Sequence, residues 1–394
     1  MAKTKLTIGI TESGVHFYAM PLGVKNSITD SFTEIKNTYF DDAYFELFKQ
    51  AVTKYANENR ANVTAADVAV VLPDSVVSTD MIELPMVRGL KPQGMVNTTI
   101  KSLYKNLSDL KVNNTQLGIV KQTASYSVVL TRAETVEKIK KSCAAAKVNV
   151  SAVTFASSAA SNAAMAINSK LKNASFLLLD IKPQSANYVF VNKGRAVGFY
   201  SLPFGSEILS DSKVSQENLL FRHNVAELAV INAQERAKSK KFTMEAAPAD
   251  ETDNFGEDDL NSSADFETAG VGVNAAQFGS LPRSAAKKAP KFLQRPQPEN
   301  ELDFLYENFR IFQKWALNLI RSNEAIVAAG KPEAVYVNVE GDYSLLFDRV
   351  NAEKDENGIV FNKLDVRGER ERVYNNLELY GAFFTSQFNR NNNF

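Results

Sequence analysis

The sequence predicts an α/β fold of two lobes, with a smaller α+β unit inserted in the first. Three observations carry this. The order three strands, helix, strand occurs twice, about 170 residues apart. The stretch between the copies follows neither order, and one long segment in the second half has no apolar period. Many α/β folds contain one β-hairpin, but two such units in a chain of 394 residues fit a duplicated lobe better than a single sheet.

The first copy begins at residues 5–11 (KLTIGIT), which alternate as a strand does. Ser13-Gly14 turns the chain into a second run at 15–20, and a third follows at 28–36. Ala43, Tyr44, Leu47, Phe48, Ala51, Val52, Tyr55 and Ala56 then recur with the spacing of one helix face. The continuous apolar run VAVVLPD at 68–74 predicts a strand covered on both faces. In the second copy the strands are SFLLLDI (175–181), ANYVFV (186–191) and RAVGFYSL (195–202), with Asn192-Lys193-Gly194 turning between the last two. Helical spacing follows at 215–240 and 301–322, and AVYVNV (334–339) closes the unit. Within 301–322, Leu302, Leu305, Phe309, Phe312, Ala316 and Leu319 form a seam. It is expected to pack on its own lobe, because about three heptads are too few to specify a coiled coil.

Between the copies lie a strand at 76–84, a helix at 92–107, a hairpin at 117–131, a helix at 133–146 and a strand at 150–155. The resulting division is a first lobe at 1–75, an inserted unit at 76–155 and a return helix at 156–174. The second lobe covers 175–241 and 299–372, and a closing helix and polar tail fill 373–394. Residues 245–267 carry nine acidic side chains and no basic one, whereas 283–295 carry five basic ones, so 242–298 is expected to be disordered.

Composition excludes several functions. The formal charge is zero and no basic stripe runs through the periodic segments, which argues against nucleic acid as a partner. The single cysteine, Cys143, cannot form an internal disulfide and is expected in the core. Only His16 and His223 are present, neither beside a nucleophile motif, so no catalytic residue and no metal ligand set is assigned. No window approaches the ~18 apolar residues of a membrane span, and the opening MAKTKLTIGI lacks a signal-peptide pattern. A cytoplasmic location is expected, with any membrane contact made through partners.

Several segments carry a family resemblance. LDIKPQSANYVFVNKGRAVGFYSLPFGSEI (179–208) is similar to a phosphate-binding segment in which an Asp-x-Gly turn, a hairpin and Pro-x-Gly-Gly-Glu follow in order. Asp180, the Asn192–Gly194 turn, Pro203, Gly205 and Glu207 match it. VVLPDSVVSTDMIELP (70–85) resembles the start of an inserted subdomain, and SQENLLFRHN (215–224) a helix near an adenosine, with Arg222 where Lys is usual. VYVNVEGDYSLL (335–346) stands where a Gly-rich turn meets the nucleotide, and LYGAFF (379–384) resembles a closing Ala-x-Gly helix. Together these resemble the actin-like family of the type IV pilus assembly protein PilM, related to the cell-division protein FtsA. The resemblance implies a two-lobed actin-like (ribonuclease H-like) fold. It places a nucleotide site at Thr11, Glu12, Ser13 and Gly14, at Asp180, Lys182, Gln184 and Ser185, at Gly205 and Glu207, and at Arg222, Gly341 and Asp342.

All three turns depart from the family pattern. Thr11 stands where Asp is usual in the first turn, which is also shorter; Lys182-Pro183 replaces a Gly turn; Glu340 interrupts a Gly run. Proline supplies no N–H, and lysine takes left-handed backbone less readily than glycine. The expectation is therefore a pseudo-ATPase with no bound cofactor, weak ATP/Mg binding being the alternative. The resemblance further implies a scaffold in a type IV pilus or type II secretion platform. Such a scaffold binds the short cytosolic tail of a PilN-like membrane protein in a groove beside the inserted unit, together with other platform proteins. Alternatives are an active actin-like ATPase or sugar-kinase-type phosphotransferase, and an FtsA-like filament-forming division protein. The latter needs an amphipathic membrane helix, which TSQFNRNNNF at 385–394 does not supply.

Overall fold

A computed structural model describes residues 4–11, 13–22, 28–35, 40–64, 66–86, 92–103, 107–120, 122–210, 301–341, 343–352, 358–364, 376–388 and 393–394. The helix expected at 215–240 and the segment expected to be disordered at 242–298 lie outside these residues, as do Glu12, Arg222 and Asp342.

The first lobe is built on a five-stranded sheet of order β3-β2-β1-β4-β8. Its strands are β1 (Thr4–Thr11), β2 (Gly14–Pro21), β3 (Thr29–Glu34), β4 (Asp67–Leu72) and β8 (Val150–Phe155). β2 runs antiparallel to both β1 and β3, while β4 lies parallel to β1 and β8 parallel to β4. Strand periodicity then sorts the side chains. Leu6, Ile8, Ile10, Val68, Val70 and Leu72 join the core under helices α1 (Asp42–Glu58) and α4 (Ala133–Ala145). Asp41 caps α1, its side chain accepting from Tyr44 N–H at 2.8 Å. Cys143 is fully buried in this core, which pushes its thiol up to about 12. That is the environment of a packing residue, not of a reactive thiolate.

The inserted unit is a three-stranded sheet of order β5-β7-β6, formed by β5 (Val77–Pro85), β6 (Leu110–Val120) and β7 (Thr123–Arg132). Helix α3 (Pro92–Leu103) covers it through Val96 and Ile100. The limit drawn at residue 155 from sequence is corrected here: α4 packs in the first lobe's core and β8 hydrogen-bonds to β4. The unit also touches the second lobe. Ser127 Oγ donates to Val197 O at 2.6 Å, and Asn192 Nδ2 to Leu117 O at 3.2 Å.

The second lobe repeats the first sheet's plan in the order β11-β10-β9-β12-β13. These strands are β9 (Phe176–Ile181), β10 (Ala186–Asn192), β11 (Arg195–Leu202), β12 (Ala334–Val339) and β13 (Val360–Lys363). Lys193 and Gly194 both have positive φ, as a two-residue hairpin turn between β10 and β11 requires. Helix α7 (Glu301–Ser322) lays Phe309, Phe312, Ala316 and Leu319 on this sheet, so the seam packs on its own lobe.

Two helices join the sheets. α5 (Ala156–Ile167) is buried at every position from Ser157 to Met165, and its small residues Ala160, Ala163 and Ala164 meet Phe176 and Leu178 of β9. Helix α10 (Leu377–Ala382) lies on α5 and on the opposite face of the first sheet from α1, against Ala69 and Val71. The approach is so close that a Cβ on Gly381 would stand 1.7 Å from Ala159 O, and one on Gly9 would stand 2.1 Å from Leu379 Cδ2. Beyond α10 the tail is not merely polar: Phe384 and Phe388 pack against the cores, and Phe394 packs on the first lobe.

Gly381→Ala is expected to lower stability by about 1–3 kcal/mol through overpacking against the α5 backbone. Gly198→Ala, where an added Cβ meets nothing within 4 Å, should cost nothing. Thermal melts of both variants check the pair.

Candidate functional site

In open α/β sheets the carboxyl ends of parallel strands face the crevice where ligands bind. Here β1 and β4 end in Thr11 and Leu72, with Asp74 two residues further on; β9 and β12 pair Asp180 with Asn338 just before their ends. Strand alternation puts Asp180 on the Leu178 face, towards α5 and α10, and leaves it 2% exposed. A buried carboxylate needs partners. Asn338 Nδ2 donates to Asp180 Oδ1 at 2.7 Å.

The chain then delivers a cation to the same place. Lys182 Nζ lies 2.7 Å from Glu378 Oε1 of α10, in an ion pair whose side chains are 22% and 10% exposed. The fields of Asp180 and Asp74 act on the same ammonium. Burial opposes its charge, but Glu378, Asp180 and Asp74 outweigh burial and raise its pKa. Asp74 in turn accepts from Ser157 N–H at 2.9 Å and Ser157 Oγ at 2.6 Å, so it caps α5 where Phe155 has no side-chain acceptor to offer. Burial pushes the carboxyls of both Asp74 and Asp180 up to about 6, against the opposing pull of Lys182. Glu378 Oε2 has no hydrogen-bond partner among the described residues, so its pairing rests on the other oxygen. One ammonium therefore links the first lobe, the second lobe and the helix between them.

The second-lobe turn is closed by its own backbone. Lys182 N–H donates to Ser185 O at 2.8 Å, Ser206 N–H to Lys182 O at 2.8 Å and Glu207 N–H to Pro183 O at 3.1 Å. Pro183 has no N–H to offer. Gly205 is what allows the two turns to nest: a Cβ there would stand 1.9 Å from Lys182 O and 2.7 Å from Ser185 N. Gln184 points outward in an exposed position, and Glu207 opens the short helix α6 (Glu207–Ser210). The first hairpin is closed likewise. Thr11 Oγ1 donates to Gly14 O at 3.1 Å and sits 3.3 Å from Ser13 Oγ, while Ile35 N–H donates to Ser13 O at 3.1 Å. Gly341 has φ +112°, and its carbonyl accepts from Lys363 Nζ.

Of the residues predicted from sequence, the structure thus gathers Asp180 and Lys182 into one cluster and uses Ser185, Gly205 and Glu207 to build the adjoining turn. Thr11, Ser13, Gly14 and Gly341 serve turns of their own. The sequence reading missed Asp74, Ser157, Asn338 and Glu378. Asp74 had a signal, since a carboxylate directly after a buried strand ending in Leu-Pro marks a crevice position. Glu378 had none, because only the packing of α10 brings it to Lys182. Among the described residues no group of three or more His, Cys, Asp and Glu is placed to hold a metal ion, and no helix is long and apolar enough to cross a membrane.

No family model matches the sequence, and no curated protein matches it. Among solved structures, a PilM-PilN type IV pilus biogenesis complex aligns over 98% of this chain and 98% of the other, at 13% identity and a TM-score of 0.50. The cytoplasmic domain of EpsL, an inner-membrane component of the Vibrio cholerae type II secretion system, covers 54% of this chain and 77% of its own at 11% identity and TM-score 0.35. The ethanolamine utilization protein EutJ from Carboxydothermus hydrogenoformans covers 97% and 90% at 8% identity and TM-score 0.38. The end-to-end match at 13% identity shows the fold: two actin-like lobes with an inserted subdomain, as the sequence predicted.

The two aspartates give the site a pH signature. Their folded pKa of about 6 exceeds the ordinary value of 3.8, so the folded chain holds protons that the unfolded chain releases. The stability this confers is complete below about pH 4 and is lost as pH rises through about 6. Asp180→Asn removes one such group while keeping an acceptor for Asn338. Denaturation of both chains at pH 4.5 and 7.5 should show the variant gaining on the native chain by roughly 2 kcal/mol across the interval.

Proposed function

We propose that this chain is a PilM-like scaffold that binds the extended cytosolic tail of a PilN-like membrane protein in a pilus or secretion assembly platform, and that it does not hydrolyse ATP. The observation that carries the second half is the Lys182 ammonium seated among Glu378, Asp180 and Asp74. An actin-like site needs backbone N–H groups for phosphate and carboxylates for a metal. Here the carboxylates already have a cation, and the N–H groups of Lys182, Ser206 and Glu207 are bonded within the turn. These residues do not fit a triphosphate with its metal. The first half is supported by the match along the whole chain to the PilM-PilN complex, a protein of this fold assembled with a partner. A scaffold needs an intact fold and a docking surface, both of which survive the loss of a nucleotide grip.

Ligand binding to the folded state raises its melting temperature, by an amount that grows with the logarithm of the ligand concentration over Kd. Millimolar Mg-ATP is expected to leave the melting temperature unchanged. A rise that Asp180→Ala abolishes would restore the ATPase reading. For the partner, immobilised native chain should retain a membrane protein with a short cytosolic tail from solubilised membranes of the source cells. Filaments under the electron microscope with no such capture would favour the division-type alternative.

A further inference from the structure

The edge of β8 carries a segment of this chain's own tail. Among the described residues β8 is the outer strand of the first sheet, and no strand lies beside its far edge. Asn393–Phe394 lie against that side. Phe394 N–H donates to Val153 O at 2.8 Å, one rung of strand addition. The Phe394 ring stands 6.4 Å from that of Phe155, which itself lies 5.7 Å from Phe199 of the second lobe. Two side chains supply the polar contacts: Asn113 Nδ2 of β6, in the inserted unit, donates to Asn393 O at 3.0 Å, and Lys140 Nζ of the first lobe's α4 donates to Phe394 O at 3.1 Å. A backbone rung, an aromatic slot and two side-chain donors to the segment's carbonyl oxygens thus converge from both lobes and the inserted unit.

The fit is incomplete in a way that favours release. Asn393 Oδ1 is buried without a hydrogen-bond partner among the described residues, which weakens the docking. Beside it lies a cavity of about 250 Å³, lined by Lys5, Asp67, Ser151, Phe383 and Asn393, so the site has room for more peptide than these two residues fill.

We propose that Asn393–Phe394 are a built-in competitor: they occupy in cis a strand-edge site that the partner's extended tail, carrying an aromatic residue, takes in trans. This rests on the scaffold reading of the chain. It adds that the free protein holds its own site closed, so that partner capture requires Phe394 to leave.

The test uses a fluorescein-labelled synthetic peptide of this chain's residues 385–394 as probe, titrated by polarisation into full-length native chain and Phe394→Ala. Cis occupancy lowers apparent affinity by the fraction of sites left open, so the variant should bind the probe about tenfold tighter if the native site is nine-tenths occupied. A probe with Ala in place of its final Phe should not bind. Adding Lys140→Ala or Asn113→Ala to Phe394→Ala should weaken the probe again, which shows the site without relying on one variant's folding. Equal binding by native chain and Phe394→Ala, or no binding by either, overturns the proposal. If the native chain nonetheless captures a membrane tail that the probe does not displace, the scaffold function stands and only the cis competitor falls.

Discussion

Gly381 lets α10 lie backbone to backbone on α5, and that approach decides where Glu378 stands. A side chain at 381 would meet Ala159 O at 1.7 Å, and one at Gly9 would meet Leu379 at 2.1 Å, so small residues at two places set the height of α10 above the first sheet. Once α10 is there, Glu378 is buried and must find a positive partner. Lys182 from the second lobe is that partner. Packing of small residues thus creates the electrostatic requirement that joins the lobes.

The same cluster accounts for the closed turns. A lysine in the second-lobe turn carries its charge inward to Glu378 and Asp180, and Pro183 beside it leaves the turn to be closed by Ser185, Ser206 and Glu207. In a nucleotide-binding relative of such a fold the cation and the phosphate come from outside. Here the cation is covalently part of the chain. Buried ion clusters seldom add net stability over apolar packing, but they penalise the loss of one member heavily. The cluster therefore specifies the junction more than it strengthens it.

Much of the fold was legible in the sequence. Alternation in KLTIGIT and the apolar runs at 68–72 and 176–181 located the central strands, because a strand covered on both faces leaves few other readings. The strand at 150–155 was legible as a strand, but not as the first lobe's edge: pairing with β4 across nearly eighty residues leaves no local trace. The site was half legible. Asp180 and Lys182 stood out by resemblance, whereas Asn338 and Glu378 join them through sheet register and helix packing, which no short motif encodes. The tail misled, since its run of asparagines hid Phe394, a single aromatic residue whose partner is a distant strand edge.

The ammonium of Lys182 holds the lobe junction as an internal cation. Denaturation of Lys182→Met, set beside the double variant Lys182→Met/Glu378→Leu, tests this most directly. The single variant leaves buried carboxylates unpaired and should lose about 3–5 kcal/mol, with much of that recovered when Glu378 is also made apolar. A single variant within about 0.5 kcal/mol of the native chain would show that the junction does not depend on this ammonium.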